Sequence, residues 1–282
     1  DRIIKNLEKN GINQIYVIGG DGTHRGAYKL SQECVARGLN ISVVGIPKTI
    51  DNDIALIDIS FGFHSAVNAA QDALMAAETE ARGNLPNGIG VVKLMGRSSG
   101  FIAAYATLAK GDVDLCLIPE VPVQLEGAQG CLTHLEKVMQ KKKYALVVVA
   151  EGAGEELLGE STVVDAGGNK QLPKIGEFMV STIKDHFAAK GTEVTIKYID
   201  PSYMVRSVPA TGFDSYYCAL ISQGAVHGAM AGFTGFSVGL VNNHTVMLPI
   251  PELVKYSPRP MNPTGRTWER VKSITRQKDP AR

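Results

Sequence analysis

The sequence has almost no excess of either charge. Its 282 residues carry 29 Lys+Arg against 28 Asp+Glu, a formal net charge of +1. That balance excludes the broad basic footprint with which a nucleic-acid binder neutralises phosphates. Long hydrophobic runs are missing too: none approaches the roughly 20 apolar residues that span a bilayer. Cysteine is scarce, and Cys34, Cys116, Cys131 and Cys218 have no metal-ligand spacing and follow no secretory leader. They read as reduced, structural thiols of an intracellular protein. Without secretion, the sequons at Asn40-Ile41-Ser42 and Asn243-His244-Thr245 are spelling only. His24, His64, His134, His186, His227 and His244 show no H-x-x-x-H or clustered spacing, which argues against zinc. His227, set among small residues, reads as a core histidine. There is no internal repeat, no low-complexity segment and no P-loop signature.

Glycine, by contrast, is plentiful: 30 residues, many directly after apolar runs. Those runs, at 15–18, 41–46, 89–94, 115–118, 145–150 and 194–199, are short and nearly continuously apolar, as buried parallel strands are. Helical patterns lie between them at 26–37, 65–81, 101–109 and 130–143. The alternation predicts an α/β fold: doubly wound, mostly parallel sheets with helices on both faces. Further on, 225–232 reads as a small-residue helix, and 237–241 with 245–250 as a hairpin across Asn242-Asn243. Gly167-Gly168-Asn169 reads as a surface loop, and the Pro-rich, then basic, stretch after Pro258 as a weakly packed tail. The chain opens on a helix over 1–10 with no strand before it, an odd start for such a sheet, so missing N-terminal sequence is expected.

In open α/β sheets, ligands sit beyond the carboxyl ends of the strands. Here those ends read Gly19-Gly20-Asp21-Gly22-Thr23, Pro47-Lys48-Thr49-Ile50-Asp51-Asn52-Asp53, Met95-Gly96-Arg97-Ser98-Ser99-Gly100, Pro119-Glu120 and Glu151-Gly152. The first is a glycine-rich strand-to-helix turn suited to an anion. Its Asp21 would repel phosphate unless a cation stood between them, which points to Mg²⁺; the bland alternative is a helix cap. In the second, one carboxylate can take a proton from a hydroxyl while the other positions the metal; an Asx turn is the plain reading. A calcium loop fails because Leu56 and Gly62 stand where Gly and Glu are required. In the third, Arg97 can grip a phosphoryl oxygen beside a helix N-terminus. The same residues spell G-x-S-x-G, so a serine hydrolase using Ser98, with His134, His186 or His227 as base, is a rival; it leaves Asp21, Asp51 and Asp53 without a role. Gly20, Gly22 and Gly26 have the wrong spacing for a dinucleotide fingerprint. Tyr203-Met204-Val205-Arg206 adds a phenol and a guanidinium after the sixth strand, and Glu151 at a strand end suits a sugar hydroxyl.

GGDGT, PKTIDND, MGRSSG, a strand-end AEG and YMVR, in that order from about Ile15 to Pro251, closely resemble the 6-phosphofructokinase family. IKYIDPSYMVRSVP and AVHGAMAGFTGF are similar to its plant and protist branch. The resemblance implies two Rossmann-like lobes, expected at 1–110 (nucleotide) and 111–250 (sugar phosphate, with helices crossing back), and a tail at 251–282. It implies transfer of the γ-phosphate of ATP to the C1 hydroxyl of fructose 6-phosphate, with Mg²⁺. Asp51 would be the general base. Thr49 and Ile50 would share in sugar binding, and Asp21, with Asp53, would hold the metal. Gly20, Gly22 and Thr23 would cradle the donor. Met95, Gly96 and Arg97 would meet the acceptor and transferring phosphoryl group, Glu151 a sugar hydroxyl, and Tyr203 and Arg206 the 6-phosphate.

The family divides between ATP and pyrophosphate users. The latter typically have Asp where Gly22 stands, which would crowd and repel a nucleotide's α-phosphate. Lys48 is more often associated with pyrophosphate users, but the plant and protist ATP enzymes combine Gly with Lys, so ATP is expected. A pyrophosphate enzyme and a weakly catalytic or regulatory homologue are the alternatives. Tyr203 departs from the bacterial relatives, which have His there, and the family's first strand and a nucleotide-contacting arginine have no counterpart after Asp1. Members are dimers or tetramers that borrow basic residues across subunits, and Lys197 is a candidate for that sharing. The expected compartment is the cytoplasm, or a plastid if a transit segment belongs to the chain.

Overall fold

The computed structural model describes residues 1–159 and 172–280. The loop expected at Gly167-Gly168-Asn169 lies outside the described residues. In chain order the elements are α1 (Arg2–Lys9), β1 (Gln14–Gly19), α2 (Asp21–Ala36), β2 (Ser42–Pro47) and α3 (Phe63–Gly83). Next come β3 (Gly88–Leu94), α4 (Phe101–Lys110), β4 (Leu115–Leu117), α5 (Cys131–Lys142), β5 (Tyr144–Ala150) and α6 (Glu155–Leu158). The rest are α7 (Ile175–Ala189), β6 (Thr195–Ile199), α8 (Ser202–Arg206), α9 (Gly212–Met230), β7 (Phe236–Val241), β8 (His244–Pro249), α10 (Ile250–Lys255) and α11 (Arg266–Thr275). Every strand the sequence predicts is present within a residue or two of its expected bounds. The small-residue helix is longer than expected, because its N-terminal half begins at a Thr211 cap whose hydroxyl accepts from the Asp214 amide.

The chain divides into two units, Asp1–Ser65 with Pro209–Arg259, and Ala66–Val208 with Pro260–Arg282. These unit boundaries differ from the lobe boundaries expected at 110 and 250. The chain leaves the first unit within α3 and returns to it before α9, a long-range exchange that no local composition signals.

In the first unit the sheet order is β1-β2-β7-β8, parallel except for the β7–β8 hairpin. One face packs on α1, α2 and α10 through Ile4, Leu7, Ala27, Cys34, Val43 and Ile250. The other packs on α9 through Val44, Ile46, Tyr217, Ile221, Ala225 and Phe236. The second unit holds an all-parallel sheet, β4-β5-β3-β6. Helices α5 and α7 cover one face through Leu132, Leu135, Met139, Met179 and Ile183. On the other face lie α3, α4 and α11. Both units are therefore wound on both faces, as the alternating pattern requires.

The segment after Pro258 is not a weakly packed tail. Trp268 of α11 is fully buried, and Gln277 bonds both backbone groups of Cys116 at the edge of β4, at 2.7 and 2.8 Å. The Pro-rich stretch is the approach to a packed helix, and a single buried Trp outweighs its polar composition. Cys34, Cys116 and Cys131 are buried and Cys218 half-buried, all as free thiols. Burial pushes the Cys116 thiol up to about 12 and Cys131 to about 11, so both are structural. No helix among the described residues is long and apolar enough to cross a membrane.

Candidate active site

In the first unit, β1 and β2 run parallel with Gly19 opposite Pro47, so their carboxyl ends emerge side by side. The amide of Lys48 donates to the Gly19 carbonyl at 2.9 Å, which ties the two exits together. Helix α2 starts at Asp21, five residues earlier than the pattern suggests, with Gly20 as N-cap. Asp21, Gly22 and Thr23 therefore form its first turn, and their unpaired amides and the helix dipole face an incoming anion. A Cβ added to Gly22 would meet nothing within 4 Å, and its φ is not positive. Neither packing nor backbone conformation demands glycine there, so the open space itself is what the residue supplies.

The Thr49–Asp53 loop is pinned from within and from afar. The Asp51 amide donates to Thr49 Oγ1 at 3.2 Å, and the Ser60 hydroxyl donates to the Thr49 carbonyl at 2.6 Å. Buried Asn52, at φ 55°, accepts the Ser60 amide on Oδ1 at 2.9 Å. The Arg259 amide donates to the Asp53 carbonyl at 2.6 Å. Neither aspartate of the loop caps the next helix, α3, which begins well beyond them at Phe63. The Asp51 Oδ1 is buried. Burial, and then the negative charge of Asp21, hold the Asp53 carboxyl above the usual carboxylate range. Asp21 meanwhile makes an exposed ion pair with Arg25 at 2.9 Å.

A buried carboxylate disfavoured as an anion by its acidic neighbour, beside a cradle with open room, is a donor set suited to Mg²⁺. This ion takes one or two protein carboxylates and completes its shell with water and phosphate oxygens. No group of three or more His, Cys, Asp or Glu that could hold a metal ion occurs among the described residues. Lys48 is exposed beside this loop.

In the second unit, β3 and β5 are neighbours with Leu94 opposite Ala150. The Glu151 amide donates to the Leu94 carbonyl at 2.9 Å, and the Gly152 amide to the Gly96 carbonyl at 3.1 Å. The Met95–Gly100 turn and the Glu151 turn are thus laced backbone to backbone, which brings Met95, Gly96, Arg97 and Glu151 to one edge. Gly96 has φ 131°, a conformation closed to L side chains, and an added Cβ would lie 2.4 Å from the Ser99 carbonyl oxygen. Arg97 is exposed on this turn. Beyond β6, Tyr203 and Arg206 lie on α8, both exposed, with the guanidinium 4.9 Å above the phenol ring. Lys197 pairs with Glu80 at 3.2 Å.

The N-terminus of α4 differs from expectation. The Gly100 amide donates to the Glu120 carboxylate at 2.9 and 3.1 Å, and the Met261 amide donates to the same group at 2.7 Å. The helix end that was to greet a phosphoryl group already holds the chain's own anion, and burial pushes the Glu120 carboxyl up. Two of the bases considered for the hydrolase reading are engaged elsewhere in this unit. His134 bonds the Asp114 carbonyl at 2.8 Å, and His186 bonds Glu136 at 2.5 Å.

Sequence reasoning missed His24 and Arg259 as parts of these turns; Asn52 and Glu120 it placed at the strand ends, without the hydrogen bonds that they make. His24 stands four residues after Gly20 and carried a local signal. Arg259 is far away in the chain and carried none.

The phosphofructokinase family model matches residues 1–229. ATP-dependent 6-phosphofructokinase 7 from Arabidopsis thaliana is 49% identical over 280 residues, 98% of this chain and 57% of its own length. ATP-dependent 6-phosphofructokinase 1 from the same plant is 50% identical over 281 residues, 98% of this chain and 59% of its own. The chain thus spans a little over half the length of these curated relatives. The crystal structure of the pyrophosphate-dependent phosphofructokinase from Marinobacter aquaeolei shares the fold, with a TM-score of 0.76, 20% identity, and coverage of 99% of this chain and 72% of that one. With these likenesses and the strand-end residues in place, the chain belongs to the phosphofructokinase family.

Proposed function

We propose that the protein transfers the γ-phosphate of ATP to the C1 hydroxyl of fructose 6-phosphate, giving fructose 1,6-bisphosphate and ADP. The observation that carries this reading is the meeting of Asp21 and Asp53 at the ends of adjacent strands, with Asp51 on the same loop. Asp51 accepts the C1 hydroxyl proton as that oxygen attacks the γ-phosphorus, and the bond from phosphorus to the β–γ bridging oxygen breaks to release ADP. Gly20, Gly22 and Thr23 hold the donor phosphates at the α2 N-terminus. Asp21 and Asp53 would hold Mg²⁺, which would supply charge neutralisation to the donor's phosphates. In the second unit, Arg97 offsets charge on the phosphoryl group. Thr49 and Ile50 of the first unit share in sugar binding; in the second unit Met95 and Gly96 meet the acceptor, Glu151 takes a sugar hydroxyl, and Tyr203 and Arg206 take the 6-phosphate.

The donor is ATP rather than pyrophosphate. The space over Gly22 is open to a nucleotide's α-phosphate, and relatives 49% and 50% identical to this chain are named as ATP-dependent. Exposed Lys48 accompanies that glycine without excluding ATP. A homo-oligomer, dimer or tetramer, with Lys197 offered across subunits, and a cytoplasmic or plastid compartment complete the reading.

The test is phosphorylation of fructose 6-phosphate with Mg²⁺, run in parallel on ATP and on pyrophosphate. Activity on ATP alone is expected. Activity on pyrophosphate alone would overturn the donor assignment, and silence with both would favour a regulatory homologue. Asp51→Asn should lower kcat by about two to four orders of magnitude while sugar binding persists. Retained kcat would remove Asp51 as the base.

A further inference from the structure

His24 is fully buried, yet both of its ring nitrogens are spoken for. Nδ1 lies 2.8 Å from the Gly20 carbonyl oxygen, and Nε2 lies 3.1 Å from the Ser237 hydroxyl in β7. A carbonyl only accepts, so Nδ1 carries the proton, and Nε2 accepts from the serine. Burial lowers the affinity of this ring for a second proton, consistent with the neutral tautomer. The sheet makes room for the ring: Gly45, paired with Ser237 in register, would drive an added Cβ to 2.6 Å from His24 Cδ2. The Gly20 carbonyl also accepts the His24 amide at 3.0 Å, so it is held twice by one residue.

That carbonyl shares a planar trans peptide with the amide of Asp21. Turning the carbonyl inward, along α2, turns the Asp21 N–H outward, beyond the helix N-terminus. We propose that His24 is a positioning residue for the donor phosphates: braced on Ser237, it locks the Gly20–Asp21 peptide so that its amide faces the anion before any ligand arrives. The proposal rests on the reading of this turn as the ATP cradle. It adds a distant brace in β7 that the glycine-rich motif itself does not contain.

Two readouts test it: the ATP dissociation constant with Mg²⁺, by titration calorimetry, and hydrogen exchange of the backbone amides at 20–24. His24→Ala should weaken ATP about tenfold, the scale of one well-placed hydrogen bond, and speed exchange of those amides. The KM for fructose 6-phosphate should stay within about twofold. His24→Asn keeps a donor within reach of the Gly20 carbonyl and should restore most of the affinity. Ser237→Ala, which removes only the brace, should fall between, and these two milder variants carry the test if His24→Ala does not fold. Loss of melting temperature with unchanged ATP affinity and unchanged exchange would make His24 a plain core residue and overturn the proposal. If the wild-type protein binds no ATP, the cradle reading fails by itself, and the exchange measurement still decides whether His24 fixes the turn.

Discussion

At the scale of single residues, the first unit's turn holds groups that cost stability and serve a ligand. Asp53 is the clearest. Its folded-state carboxyl binds a proton more tightly than in the unfolded chain, because burial and Asp21 both disfavour the anion. The native state therefore holds more protons between the ordinary carboxylate pKa and the raised one, and stability falls as pH rises through that window. Asp53→Asn should raise the melting temperature at neutral pH without Mg²⁺, flatten that acid-side slope, and abolish the rise in melting temperature that Mg²⁺ gives the wild type. Thermal melts with and without Mg²⁺ at a series of pH values check all three. Gly22 makes the complementary case. Asp in the first turn of a helix is favourable by about 0.3–1 kcal/mol, which offsets repulsion from Asp21 and Asp53, and an added Cβ meets no described atom within 4 Å. Gly22→Asp should leave stability equal or higher while ATP turnover drops at least tenfold. A parallel loss of both would mean that the glycine serves the fold. The acids and the glycine were legible in the sequence because their side chains, or lack of one, are their function. What His24 and Glu120 do was not, since each acts through a backbone partner that only the folded turn supplies, although the position of each was visible.

At the scale of elements, two strand-end turns of the second unit touch so closely that they admit no side chain. A Cβ on Gly152 would stand 1.8 Å from the Arg97 carbonyl oxygen. Gly152→Ala should destabilise the protein by about 1–3 kcal/mol, as overpacking does. It should also lower activity beyond what instability explains, because the displaced backbone carries Arg97. Gly26, inside α2 with open space around it, is the control: Gly26→Ala should stabilise by about 0.5–1 kcal/mol. Urea midpoints of the two variants give the comparison. The strands were legible because a parallel strand buried on both faces is a continuous apolar run, whatever surrounds it. Helices α7 and α11 were missed. Their buried residues do recur at helical spacing, Ile175, Met179, Ile183 and Phe187 in α7 and Trp268, Val271 and Thr275 in α11, but that signal was overlooked beside the polar residues between them.

At the scale of the whole molecule, the C-terminal segment completes the second unit rather than trailing from it. Trp268 is sealed, its indole donates to Asp279 at 2.8 Å, and Gln277 caps the edge of β4. Trp268→Ala should cost about 3–5 kcal/mol, the usual toll of emptying a buried aromatic site. A weakly packed tail would give less than one, and denaturant unfolding followed by circular dichroism separates the two. The alternation of strands and helices, the glycine-rich exits and the acids that follow them were determined by the amino-acid order, because each rests on neighbours within a few positions. The membership of each unit was decided only by the tertiary structure. Chain segments more than a hundred residues apart share one core, and the free energy that joins them comes from burial between elements, which local sequence does not encode.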